Sequence, residues 1–138
     1  MRFCKQRDKY SCGAVALLNI DKFFGRPVTY QALPFYRMLV NCSQAHGTYR
    51  RDVTRVLGRA SRRGWKQAKR FLQEGNCILL DIRWRNGEGH YYLMVIHNYG
   101  IQIVNYFRDQ STTSVNPRWA ARLLKQAERT WYIGEGIL

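Results

Sequence analysis

Cys12 is followed by Gly13 and by an apolar run, Ala14–Ile20, that reads as a helix opened by Ser11 or Cys12. A cysteine at a helix N-terminus faces unpaired backbone N–H groups and the positive end of the helix dipole. Both favour the thiolate, the nucleophilic form. The Cys12 N–H can donate to an oxyanion on a carbonyl that the sulfur attacks, and the Gln6 side-chain amide can reach back as a second donor. Gly13 leaves room for a substrate backbone. The segment Gln6-Arg7-Asp8-Lys9-Tyr10-Ser11-Cys12-Gly13 thus offers a nucleophile, oxyanion donors and an approach. Alone, it also fits a buried structural cysteine that begins a core helix.

A thiol nucleophile needs a base, normally an imidazole, and the base needs a third group to hold it. His90 opens the strand pattern Tyr91–Ile96 behind Gly87-Glu88-Gly89, where Gly89 gives a substrate a close approach. Asn105 lies on the next strand pattern, Ile101–Phe107. With a two-residue loop at Asn98-Tyr99, Tyr92 pairs with Asn105, and His90 lies one diagonal away on the same face, at about 7–8 Å. A loop one residue longer would put the two on opposite faces. Asp109 is the second choice as orienting group.

The remaining candidates have weaker geometry. His97 falls at the turn beyond the strand, out of reach of a base's partner. Cys42 and His46 have i, i+4 spacing, but a metal would need two more ligands from afar, so they read as loop residues. Cys4 reads as an arm thiol and Cys77 as a strand-core residue. The four cysteines form no C-x-x-C pair, and free thiols are expected. No metal or cofactor is called for.

These residues need elements to position them. The first ten residues read as an irregular arm, and the helix from Gly13 to about Phe24 is stopped by Gly25 and Pro27. Tyr30–Val40 reads as a second helix. Gly47-Thr48 reads as a turn with a threonine cap, followed by a helix to about Arg63 with Val53, Val56, Leu57 and Ala60 inward. Lys66–Gln73 is a short helix. Cys77–Trp84, Tyr91–Ile96, Ile101–Phe107 and Thr130–Ile133 read as strands, and Asn116-Pro117 caps a helix over Pro117–Glu128. Helices followed by an antiparallel sheet give an α+β fold, here one domain over residues 1–138.

The chain carries 23 Lys and Arg against 9 Asp and Glu, a net charge of +14. Such a surface attracts nucleic acid or other polyanions. On the expected helix, Arg51, Arg55, Arg59 and Arg62 form one stripe opposite the apolar face and are the candidate nucleic-acid contacts. No stretch reaches the about 20 apolar residues of a membrane span. The basic start leads into Tyr10-Ser11-Cys12-Gly13 without a signal-peptide pattern, so a cytoplasmic or virion-associated location is expected.

The order Gln-x5-Cys-Gly, a Gly-Thr helix start, Gly-His-Tyr leading a strand and a polar residue on the following strand resembles the papain-like cysteine peptidase superfamily. In order and compactness it is most similar to the bacteriocin-processing double-glycine leader peptidases and their free-standing relatives. The likeness runs from Gln6 to about Asn105. It implies a papain-like fold, with the nucleophile at a helix N-terminus packed on an antiparallel sheet. It implies a thiol protease with Cys12 as nucleophile, His90 as base, Asn105 as orienting residue, Gln6 in the oxyanion hole, and Gly13 and Gly89 against a peptide or isopeptide substrate. Cleavage at small-residue or Gly-Gly sites follows from the same likeness. The leader peptidases usually carry Asp at the third position, whereas this chain has Asn105, as papain does. Two alternatives remain: a viral or phage maturation protease held on nucleic acid by its basic surface, and a papain-like nucleic-acid-binding module without catalysis.

Overall fold

The computed structural model describes residues 2–83, 89–107 and 110–136. Trp84, Gly87, Glu88 and Asp109, all named above, lie outside the described residues. After the arm, helix α1 (Cys12–Phe23) is buried from Gly13 to Asp21, as its apolar run requires. Gly25 ends it with φ +86°, and Arg26 N–H returns to Asp21 O. A short 3-10 turn, Tyr30–Ala32, leads into α2 (Leu33–Leu39), where Pro34 lies in the first turn.

Helix α3 (Arg50–Leu57) is shorter than its periodicity predicts. Gly58 adopts φ +91° and stops it, and the segment beyond is pinned to the sheet by Ser61 N–H on Thr130 O and Thr130 Oγ1 on Ser61 O. Thr48 is not its cap; Tyr49 holds that position, and Thr48 is buried. Helix α4 (Trp65–Gln73) follows and is closed by a turn at Gly75.

Strands β1 (Cys77–Arg83), β2 (Gly89–His97), β3 (Gly100–Val104), β4 (Thr112–Val115) and β5 (Arg129–Ile133) form an antiparallel sheet in the order β4-β3-β2-β1-β5. Helix α5 (Pro117–Gln126) precedes β5, its Asn116 side chain accepting from Trp119 N–H as the Asn-Pro signal predicts. The β2–β3 hairpin has the expected two-residue loop: His97 pairs with Gly100, and both Asn98 and Tyr99 take positive φ. Strand β4 was not expected, because Thr112–Val115 is short and polar, and it is not fully buried anywhere.

Strand alternation sorts the core into two layers. Leu79, Tyr91, Leu93, Val95, Val104 and Trp131 pack with α1, α2 and α3. Ile78, Leu80, Ile82, Tyr92, Met94 and Ile103 pack with α4 and α5 on the other face. The mixed helix and antiparallel-sheet architecture is the α+β class expected. Among the described residues no helix is long and apolar enough to cross a membrane.

Candidate active site

Cys12 is the first residue of α1 and is half-buried, between the fully buried Ser11 and Gly13. Its position is fixed by Asp8, which the sequence did not single out. Asp8 Oδ1 accepts Tyr10 N–H at 3.0 Å and Ser11 N–H at 2.7 Å. Asp8 Oδ2 accepts the Ser11 hydroxyl at 2.9 Å and Arg37 Nη2 at 2.8 Å. Burial opposes ionisation of this carboxyl, but the Ser11, Tyr10 and Arg37 donors together hold it below its ordinary value. Asp8 is thus an aspartate turn closed over the helix start, and an Asp three residues before Ser11 was the signal available.

Two asparagines clamp the arm in front of it. Asn19 of α1 accepts Cys4 N–H at 2.8 Å and donates to Cys4 O at 3.0 Å. Asn105 donates to the same carbonyl at 3.0 Å and accepts Gln6 N–H at 2.9 Å. Asn105 itself follows β3 with φ +60°, a left-handed conformation that asparagine tolerates. Gln6 and Asn105 are therefore neighbours. The Gln6 side-chain amide turns into the loop and donates to Asp8 O at 2.6 Å.

Gly13 lies against Thr48: a Cβ there would come within 2.6 Å of Thr48 Oγ1 and 2.7 Å of its Cβ. Thr48 O accepts the Tyr91 hydroxyl at 3.2 Å. Cys12 packs against the layer that holds Tyr91, and the Tyr91 backbone N–H is among the groups that favour ionisation of the thiol. That N–H belongs to the peptide joining His90 to Tyr91. The His90 ring turns to the other side of the strand. His90 pairs with Ile82, and its ring lies 4.7 Å from that of Tyr92, which in turn is 5.2 Å from Tyr106.

The thiol environment differs from the expectation drawn from the helix dipole. Burial pushes Cys12 up to about 11, outweighing donors from Tyr91, Gly13 and its own N–H. The Cys42 sulfur adds to the effect; it lies nearby, donating to Tyr10 O at 3.3 Å, and burial raises it too. In this conformation the sulfur carries its proton at neutral pH. Desolvation wins over the half-charge of a helix end.

The other candidates are accounted for. His97 packs edge-on against Phe3 at 5.9 Å, and His46 stacks on Tyr49 at 4.4 Å. Cys77 is buried, and all four cysteines are free thiols. Gly89 lies under Arg83, whose guanidinium carbon would be 3.0 Å from a Cβ there. The expected arginine stripe does not form, because α3 ends before Arg59 and Arg62. Arg51 lies over the Tyr49 ring, Arg55 pairs with Asp52, and Arg62 donates to Ala127 O and Glu128 O.

No protein-family model matches the chain, and no curated protein matches it. The fold is similar to that of the peptidase domain of Streptococcus ComA, a bi-functional ABC transporter involved in a quorum-sensing pathway. The TM-score is 0.63 at 16% identity, over 97% of this chain and 98% of that one. At that identity the likeness establishes the architecture, and the chemistry has to come from the side chains.

Proposed function

We propose that residues 1–138 form a papain-like cysteine peptidase with Cys12 as nucleophile. The observation that carries this reading is Cys12 opening α1 and packing against the Tyr91 layer of β2, next in sequence to His90, in a fold shared with a peptidase domain. The His90 ring swings from Tyr92 to the sulfur, takes the thiol proton as the sulfur attacks a peptide or isopeptide carbonyl, and returns it to the leaving amine. Because burial favours the neutral thiol, proton transfer accompanies attack and no thiolate is stored beforehand. The Cys12 N–H, unpaired within the helix, stabilises the oxyanion, and Gln6 joins it once its amide leaves Asp8 O. Asn105 holds the arm that carries Gln6; its contact with the imidazole rests on the resemblance alone. Water then releases the acyl group. Gly89 borders the substrate path; Gly13, buried against Thr48, seats the start of α1 instead, and a preference for small residues at the cleaved bond rests on the resemblance alone.

The test is digestion of a complex peptide library with wild type and Cys12→Ala, reading new N-termini by mass spectrometry. Wild type is expected to generate them and Cys12→Ala to generate none. Equal products from both would overturn the reading.

The net charge of +14 favours a second reading for the surface, namely that it holds nucleic acid. This accommodates a maturation-type peptidase kept on packaged nucleic acid, or a binding module without catalysis. Added DNA should speed cleavage at low salt in the first case. In the second, Cys12→Ser should leave every measurable property unchanged.

A further inference from the structure

Beside the thiol, on the α1 face of the sheet, Asp81 pairs with Tyr91 across β1 and β2 and is completely buried. Two arginines converge on it. Arg50 Nε binds Asp81 Oδ2, and Arg83 Nε lies 3.9 Å from Oδ1, an oxygen without a hydrogen-bond partner among the described residues. The same guanidiniums also hold a second carboxylate. Glu128 Oε2 meets Arg50 Nη2 and lies 3.5 Å from Arg83 Nε. The two acids differ in one respect: the Asp81 side chain is 1% exposed and that of Glu128 48%. Glu128 is tethered by its backbone N–H to Asp81 O at 2.9 Å, which leaves its side chain to move. Around this fork Tyr49, Arg50, Arg51, Arg83 and Glu128 line an open cavity of about 530 Å³.

We propose that this cavity is a subsite for a carboxylate of the peptide substrate, which displaces Glu128 from the Arg50–Arg83 fork. Asp81 is the fixed counter-charge that aims both guanidiniums, and Glu128 is an exchangeable stand-in that shows what the fork accepts. Arginine pairs favour carboxylates through charge-assisted, often bidentate hydrogen bonds. Three arginines against two carboxylates leave one positive charge when Glu128 stays, and two when it swings out. Tyr91 separates the cavity from Cys12. The fork and the thiol both lie on the α1 face of the sheet, so one extended peptide can reach both. The ligand class is therefore an Asp or Glu side chain, or a C-terminal carboxylate. The assignment rests on the peptidase reading for the identity of its substrate, but not for the binding itself.

The probes are two short blocked peptides, identical except for Glu or Gln at one central position. Each is titrated into nitrogen-15-labelled Cys12→Ala protein while the arginine Nε–Hε signals are followed. Arg50 and Arg83 signals should move with the Glu peptide, with about tenfold weaker binding of the Gln peptide. The exposed Arg83→Gln variant should abolish the difference while keeping the wild-type amide spectrum away from the fork, which shows that it still folds. Equal binding of the two peptides, or shifts confined to other arginines, would overturn the subsite. So would movement of the fork with a DNA oligonucleotide and not with the acidic peptide. Selective binding with no cleavage of any library peptide leaves the subsite standing and removes the peptidase. Cleavage without acidic preference near the bond, and without fork shifts, does the reverse.

Discussion

Asn105 and Gln6, 99 positions apart in the chain, are joined by a hydrogen bond of 2.9 Å from the Gln6 N–H to the Asn105 side-chain oxygen. The same amide gives its N–H to Cys4 O at 3.0 Å, so Asn105 closes a two-point clasp on the arm that leads to the thiol. An aspartate cannot make that clasp, because it has two acceptors and no donor. Asn105→Asp should set an oxygen against the Cys4 carbonyl and lower stability by about 1–3 kcal/mol in urea unfolding. Asn105→Ala loses both bonds and must also hold φ +60° without a polar side chain. A wild-type midpoint for Asn105→Asp would show that the clasp contributes nothing.

Gly13 is required by Thr48, which fills the space a side chain would take. Gly13→Ala would push a methyl to 2.6 Å from a branched, buried side chain, which should cost about 1–3 kcal/mol. Thr48→Ala should give back only part of that loss, since the Thr48 Cβ at 2.7 Å remains. Thermal unfolding of the two single variants and the double variant measures the coupling.

The thiol gives a pH signature. Cys12 ionises near the ordinary 9.0 in the unfolded chain and is pushed up to about 11 in the folded protein. Between these values the unfolded state has lost a proton that the folded state keeps, so stability falls as pH rises from 9 to 11. The slope from this one group approaches about 1.4 kcal/mol per pH unit. Cys12→Ala should flatten the decline, although Cys42, Cys77 and Tyr91, all raised by burial, keep part of it. An unchanged slope in Cys12→Ala would contradict the buried thiol. The same burial predicts that iodoacetamide, which brings no peptide to draw the imidazole to the sulfur, does not select Cys12 at pH 7, whereas its alkylation of Cys12 accelerates towards pH 11.

These features mark how far the sequence could be read. The helix that presents Cys12, the two-residue hairpin turn at Asn98-Tyr99, and the α+β layout follow from local apolar patterns and turn chemistry. The end of α3 did not, because an i, i+3, i+4 pattern continues past Gly58, and the positive φ of Gly58 together with the pairing of Ser61 to β5 decides against the helix. Asn105 was expected to lie flat on the sheet beside His90. Its left-handed φ turns it to the arm, a conformation that no pattern of neighbours encodes. The contacts of Asp8, Thr48 and Tyr91 are tertiary, and their residue types alone carry little signal.

The basic surface has its own test. Arg59 is exposed in the segment beyond α3, so Arg59→Glu should leave folding unchanged. If the surface holds nucleic acid through this segment, the variant should bind duplex DNA more weakly and lower the slope of log affinity against log salt by about 1. Retention of the full salt slope would exclude Arg59 as a phosphate contact.

One sulfur, opening α1, is proposed to be served by the imidazole carried on β2. That pairing is tested most directly by treating wild type, Cys12→Ala and His90→Ala with a thiol-directed peptidyl electrophile at neutral pH and mapping the adduct by mass spectrometry. Wild type should label rapidly and singly at Cys12, Cys12→Ala not at all, and His90→Ala at least about a hundredfold more slowly. Labelling of Cys12 at the same rate with and without the imidazole, or labelling spread over Cys4 and Cys42 as readily, would contradict it.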